Sequence, residues 1–193
     1  MRESARILRM LGFLLAFLLL CWMGVQIVHE FGHVTAALLS GGQVSRIVLN
    51  PLTISRTDLS FNPYPQLTVW AGPLVGAGLP LLLWQIVVSV GRPRLSALAQ
   101  FFCGFSLVAN GAYLAFGASD GVGDCGVMRQ CGTPVGLMMG VGALLLAGGF
   151  VVWHHLGSPL AFLKHAEFPR TADLAITVLL LIVVAGSCRL IFP

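Results

Sequence analysis

The stretch "VHEFGHV" at residues 28–34 lies inside the long apolar run Leu11–Leu39. Four side chains in that run can ionise or ligate a metal, and three of them belong to the quoted motif: Cys21, His29, Glu30 and His33. Ionisable groups inside a membrane are expensive and are usually functional. The motif therefore indicates a chemical site carried by a membrane helix.

The composition independently points to the membrane. The chain of 193 residues is 57% hydrophobic and 9% charged, whereas soluble domains carry about 25% charged residues. A chain this short leaves much of its surface exposed, so a large buried core cannot explain why it has so few charged residues. We therefore predict an integral membrane protein with a single domain over residues 1–193. No basic patch accompanies the aromatic residues, so nucleic acid is not an expected partner.

Five segments are long and apolar enough to cross a bilayer, which takes about 20 residues of helix: 10–39, 67–90, 95–117, 134–156 and 173–192. They predict an all-α polytopic protein with about five transmembrane helices in one bundle. Glycines four residues apart, a spacing that lets membrane helices approach closely, occur as Gly72 with Gly76 and as Gly136 with Gly140.

The segment between the first two helices is rich in β-branched residues. It shows partial alternation over residues 52–55 and an Asn50-Pro51 turn signal. These features are typical of short strands, so we predict a short β-hairpin at the membrane surface after helix 1. An edge strand within residues 43–59 is expected to hold an unwound substrate segment by strand addition.

The distribution of basic residues favours a cytoplasmic N-terminus. With that orientation, seven of the eleven Lys and Arg residues fall on the cytoplasmic side. Positive charge is enriched on the cytoplasmic side of membrane proteins. The bias places the HEFGH motif toward the opposite side.

His29 and His33 are four residues apart, so on a helix both imidazoles point from one face and can bind the same metal ion. Zinc binds His nitrogen readily and keeps an open position for water at catalytic sites. Glu30, next to the first histidine, can act on that water as a general base. The motif therefore predicts two ligands for one Zn²⁺ ion and a base, and a third ligand must come from elsewhere.

Candidates for the third ligand occur at two places in the chain. Asp120 and Asp124 follow the third apolar segment, and a second group lies at and beyond the end of the fourth: His154, His155, His165 and Glu167. Helices 1 and 3 end on the same side of the membrane, and HEFGH lies in the latter half of helix 1. The aspartate loop is therefore on the correct side. Its glycines let it fold back into the bundle, where irregular backbone is tolerated if it lines a cavity.

Several elements together resemble one family. These are HEFGH in a first membrane helix, a Gly-Gly and strand-like segment after it, "WAGPLVGAG" in the second helix, and Asn110 ahead of an aspartate loop. They resemble the site-2 protease family of intramembrane zinc metallopeptidases (peptidase M50), above all its compact M50B-like branch. The resemblance covers about residues 20–135. It implies a multi-pass protein of the bacterial inner membrane that hydrolyses membrane-spanning protein substrates, with a catalytic core at about 10–135 followed by two C-terminal helices at 134–193.

The resemblance also bears on the remaining site residues. The family's third ligand lies in a Leu-Asp-Gly element after an Asn-Pro motif, but here Asn110 is followed by Gly-Ala-Tyr. Asp120 precedes a glycine as in that element. Asp124, in "DCGVMRQCGTP", is similar to the compact branch, where an aspartate precedes a short amphipathic helix and a proline. On this basis we predict Asp124 as the third ligand and Asn110 as a catalytic residue that hydrogen-bonds the substrate backbone or the oxyanion. The resemblance also implies an active site toward the cytoplasm, opposite to the charge bias.

Other interpretations make distinguishable predictions. The altered sequence after Asn110 favours a catalytically inactive membrane metal-binding or adaptor protein of the same family. A metal transporter would need polar residues on several helices, and the second, fourth and fifth segments offer almost none. A membrane zincin that uses Glu167 as its third ligand would need that residue on the other side of the membrane. Cys125 and Cys131 flank a short loop and could form a disulfide or remain free thiols.

Overall fold

The computed structural model describes residues 2–50, 54–157 and 169–191. Within these ranges the chain forms six helices and a two-stranded sheet. In chain order the elements are α1 (Arg2–Leu39), β1 (Gln43–Val48), β2 (Arg56–Phe61), α2 (Pro65–Ser89), α3 (Pro93–Asp120), α4 (Asp124–Gln130), α5 (Val135–Leu156) and α6 (Thr171–Ile191).

Four of the described helices, α1, α2, α3 and α5, are long and apolar enough to cross a membrane, and Thr171–Gly186 of α6 is a shorter apolar helix. The predicted all-α membrane bundle with a hairpin after helix 1 is confirmed. The main difference is at the start of α1, which extends back to Arg2 rather than beginning near residue 10. Its added residues include arginine, alanine and leucine, which are good helix formers.

The hairpin is antiparallel, with Ile47 opposite Thr57. Its second strand begins later than the alternation over residues 52–55 suggested, because Ile54 and Ser55 precede β2 in the connection. The predicted Asn50-Pro51 turn falls partly on residues 51–53, which lie outside the described residues. Buried Leu49, just after β1, packs with Met23 of α1, and this cluster anchors the hairpin on the helix bundle.

Helices α1 and α2 meet through glycine. A methyl group at Gly32 would overlap the carbonyl oxygen of Ala71, so the two backbones are in direct contact there. One helix turn further along α2, a Cβ at Gly76 would lie 2.7 Å from Oδ1 of Asn110 on α3. The Cα of Gly72 also lies 3.0 Å from the methyl group added at Gly32. The pair Gly72 and Gly76 therefore lies where α2 meets α1 and α3.

The second glycine pair does not lie at a helix contact. A Cβ at Gly136 or at Gly140 would meet no atom within 4 Å. Helix α5 instead contacts α3 through Gly142, where a methyl group would overlap Ala115 and would lie 2.7 Å from the carbonyl oxygen of Gly111. Spacing alone did not identify the packed face of α5, because glycines occur on more than one side of this helix.

This interface yields a test of packing. Gly142→Ala should lower the thermal unfolding temperature of the purified protein in detergent, because overpacking a close interface costs about 1–3 kcal/mol. Gly140→Ala is the matched control on the same helix and should leave the temperature unchanged or raise it slightly, since alanine favours helix over glycine. Equal behaviour of the two variants would contradict the described α3–α5 contact.

Candidate metal centre

The two histidines of the motif share one face of α1, as their spacing predicts. Their ring centroids are 4.8 Å apart. His33 is buried and His29 is nearly so, with 8% and 12% of their side chains exposed. Glu30 lies beside them and is 3% exposed. Three ionisable groups are therefore held inside the bundle by one helix.

Asp124 reaches these histidines because the chain turns back after α3. The turn uses two glycines with left-handed φ, Gly121 at 63° and Gly123 at 60°, and α4 begins directly after it. A glycine adopts positive φ without the steric cost that other residues incur. Oδ2 of Asp124 lies 2.9 Å from Nε2 of His29 and 3.2 Å from Nε2 of His33.

The Nδ1 atom of each imidazole, on the side of the ring away from Asp124, also has a hydrogen-bond partner. Nδ1 of His29 lies 2.8 Å from Oδ1 of Asn110, and Nδ1 of His33 lies 2.8 Å from the carbonyl oxygen of Thr68. The amide of Asn110 is oriented by its own Nδ2, which donates to the carbonyl oxygen of Ser106 at 2.9 Å. Both Nδ1 atoms thus face acceptors, and both Nε2 atoms face Oδ2 of Asp124. Such outer contacts fix the tautomer and ring orientation of metal-binding histidines.

The donor set suits a zinc ion. Two imidazole nitrogens and a carboxylate oxygen all lie within 4.8 Å of one another. Zinc bonds of about 2.0–2.2 Å in tetrahedral geometry place ligand atoms about 3.3 Å apart, close to the 2.9 and 3.2 Å separations from Asp124. Electronegative atoms this close together need a proton or a cation among them.

The charge state of Asp124 suits the same role. Burial alone raises the pKa of its carboxyl group, but hydrogen bonds and charge interactions with His29 and His33 outweigh burial and hold the pKa below its usual range. The group is therefore an ionised carboxylate at neutral pH, the form in which a carboxyl group binds metal.

A cavity of about 600 Å³ opens beside His29, His33 and Asp124. Its volume is within the usual range for small-ligand sites. The walls come from α1, α2, α3, α4 and the β2 end of the hairpin, and they include Glu30, Thr57, Asn110 and Tyr113. The carboxylate of Glu30 thus lines the same space as the ligating atoms.

The structure brings His29, Glu30, His33 and Asp124 together. Asp120, the competing aspartate, lines the same cavity but is exposed at the end of α3 and is not part of the group that could hold a metal ion. Asn110 lies behind the first histidine, with its amide bonded to that ring and to α3. Its role toward substrate or oxyanion stays a prediction, as do the other assigned roles.

The remaining candidates lie elsewhere. His154 and His155 end α5, and the neighbouring Trp153 donates its indole N–H to the carbonyl oxygen of Phe101 near the start of α3. That is the end of α3 opposite to Asp120. His165 and Glu167 lie outside the described residues. Cys125 and Cys131 are both free thiols.

Two residues that contact the site, Tyr113 and Thr68, were not predicted from the sequence. The hydroxyl of Tyr113 accepts a hydrogen bond from the backbone N–H of Asp124 at 2.9 Å, and its ring packs edge-on against His29. Tyr113 follows Asn110 by three residues, so helical periodicity would have predicted both side chains on one face of α3. Thr68 contacts His33 through its backbone carbonyl. Every residue type has this group, so the sequence carries no sign of the contact.

One comparison with known proteins found a family match. The model of the Peptidase M50B-like family matches residues 17–115, just over half of the chain. The chain therefore belongs to this peptidase family. The match includes the HEFGH motif and Asn110 and ends before Asp124. Neither the curated proteins nor the solved structures gave a match to this chain.

The close approach of α2 makes Gly72 a sensitive position. A methyl group there would overlap Nε2 of His33 and would lie 2.8 Å from Nε2 of His29. Gly72→Ala should therefore weaken zinc binding at least about tenfold, the effect of disturbing the shell around metal ligands, measured by competition with a zinc chelator. Gly78→Ala, on the same helix with no atom within 4 Å of its added Cβ, should bind zinc normally. Undiminished binding by Gly72→Ala would contradict the site geometry.

The two aspartates can be separated by metal analysis. Asp124→Ala should lose most of the zinc that copurifies with the protein, because it removes one of three protein ligands. Asp120→Ala removes a carboxylate from the same cavity and should keep its zinc. Elemental analysis after desalting, normalised to protein, gives the comparison. Zinc loss in Asp120→Ala alone would reverse the assignment.

Proposed function

We propose that this protein is a zinc-dependent endopeptidase that hydrolyses peptide bonds of membrane-spanning proteins. The supporting observation is the convergence of His29, His33 and Asp124 beside Glu30 in one cavity of a membrane bundle. Membership of a peptidase family that is generally zinc-dependent supports the same function. We further propose a multi-pass location in a bacterial inner membrane, with the catalytic core at about 10–135.

The depth of the site favours cleavage within the bilayer. Glu30 precedes the end of α1 at Leu39 by nine residues, which corresponds to about 14 Å along a helix axis. If the hairpin after α1 rests at the membrane surface, the site lies near the middle of a hydrocarbon layer about 30 Å thick. A peptide bond within a membrane span would be at the same depth.

The chemistry divides between the metal and the protein. Zinc, when bound, supplies a Lewis acid that activates water and polarises the scissile carbonyl. Glu30 takes a proton from the attacking water as the new C–O bond forms, and it delivers that proton to the leaving nitrogen as the C–N bond breaks. Asn110 and the Thr68 carbonyl keep both imidazoles in the tautomer that ligation requires.

A substrate helix must unwind before its backbone can reach this cavity, because helical hydrogen bonds otherwise occupy the peptide groups. We propose that the hairpin holds the unwound segment by strand addition within residues 43–59. Two observations support this. Arg56, Thr57 and Leu59 of β2 line the cavity, and each strand of a two-stranded sheet has a second edge.

The decisive test is the loss of the base. Wild-type protein in membranes with a tagged single-span reporter should produce a cleaved fragment. Glu30→Gln should reduce the cleavage rate at least about a hundredfold, because general base catalysis contributes about 10²–10⁴-fold. Its zinc content should remain normal, since Glu30 is not among the ligating atoms. Immunoblotting of the reporter and metal analysis give the two readouts.

The matched control is Glu3→Gln, the same substitution at an exposed position of the same helix, which should cleave normally. Equal cleavage by wild type and Glu30→Gln would sink the protease proposal. Zinc binding without cleavage by either protein would support the alternative of an inactive metal-binding or adaptor member of the family.

A further inference from the structure

A hydrogen bond joins the hairpin to the HEFGH motif. Oγ1 of Thr57 on β2 donates a hydrogen bond to Oε2 of Glu30, at 2.7 Å. The contact joins residues 27 positions apart in sequence, one on a membrane helix and one on a strand. Among the described residues, no hydrogen bond to Oε1 was found. That oxygen meets no donor from the described residues and can receive a proton from water.

The position of Thr57 is set without help from the site. Its strand partner Ile47 and the buried Leu49 pack against Met23 of α1, two turns before the HEFGH motif. The strands are tied further by the hydroxyl of Ser45, which donates to the carbonyl oxygen of Asp58 at 2.9 Å. An apolar anchor on α1 thus presents the hydroxyl of Thr57 to the carboxylate.

A glutamate needs such a contact to act as a base. Its side chain has three rotatable torsions, and only conformations within hydrogen-bond reach of the water contribute to proton transfer. Small displacements of reacting groups reduce rates steeply. A fixed donor on one carboxylate oxygen selects one conformation and leaves the other oxygen in place to act.

We propose that Thr57 is a positioning residue for the general base: its hydroxyl holds the Glu30 carboxylate in the conformation that takes the proton from water. The inference rests on the proposed protease function. It gives the hairpin a second role, because the element proposed to seat the substrate also orders the base. A substrate that moved β2 away from α1 would break the hydrogen bond from Thr57 to Glu30. Productive binding therefore requires the packing of Leu49 on Met23 to stay intact.

The test compares three variants of the full-length protein in the reporter assay. Thr57→Val keeps the shape but removes the donor, and kcat should fall about tenfold or more while KM and zinc content stay within twofold of wild type. Thr57→Ser retains the hydroxyl and should restore most of kcat. Ser89→Ala removes an exposed hydroxyl at the far end of α2, where it bonds only the carbonyl oxygen of Gln85, and should leave both constants unchanged.

A double-mutant cycle separates positioning from hairpin stability. In a Glu30→Asp background the shortened carboxylate no longer reaches the hydroxyl, so adding Thr57→Val should change kcat less than twofold. Three results would overturn the proposal: wild-type kcat in Thr57→Val, equal loss in Thr57→Ser, or the full loss repeated in the Glu30→Asp background. Normal cleavage by Glu30→Gln would instead reject the protease function itself.

A second measurement does not depend on activity. In a metal-free protein without its native cysteines, Glu30→Cys paired with Thr57→Cys should be joined by a short thiol cross-linker. Glu30→Cys paired with Ser45→Cys should not. Digestion and mass spectrometry identify the linked peptides. Absence of the first cross-link would overturn the proposal even if the chain proves inactive.

Discussion

The backbone contact between α1 and α2 is the constraint on which the rest of the site depends. At Gly32 and Gly72 neither helix has room for a methyl group. The contact places the imidazoles of His29 and His33 against bare backbone and brings the Thr68 carbonyl within 2.8 Å of the second ring. In lipid, where helices associate through close packing and not through the hydrophobic effect, such small residues determine how near two backbones come.

Each polar group of the site is held by a neighbour from another element. The imidazoles bond to α2 and α3, Asp124 arrives on α4 with its backbone N–H on Tyr113 of α3, and Glu30 bonds to the hairpin. A buried polar group without a partner is costly at low dielectric, and a fully satisfied network becomes rigid there. The same contacts that lower the cost of burying these groups in a membrane also fix the orientation of their side chains.

Much of the architecture could be predicted from local sequence, because hydropathy over about 20 residues reports a span directly. The helix-bundle class and the hairpin were predicted correctly. Alternation over four residues is too short a signal to give the ends of the strands, and β2 begins at Arg56. The glycine pair in α5 was also uninformative, because spacing does not reveal which side of a helix has a neighbour.

The sequence by itself determined the membrane class, the helical spans and the pairing of His29 with His33 around Glu30, because these depend on composition and on the period of one helix. Only the tertiary structure decided which aspartate meets the histidines. Asp120 and Asp124 are four residues apart, and the two left-handed glycines between them turn α4 back so that Asp124 alone of the pair points its oxygen at both rings. The contact from Thr57 to Glu30 likewise arises from packing between distant segments, which no local pattern encodes.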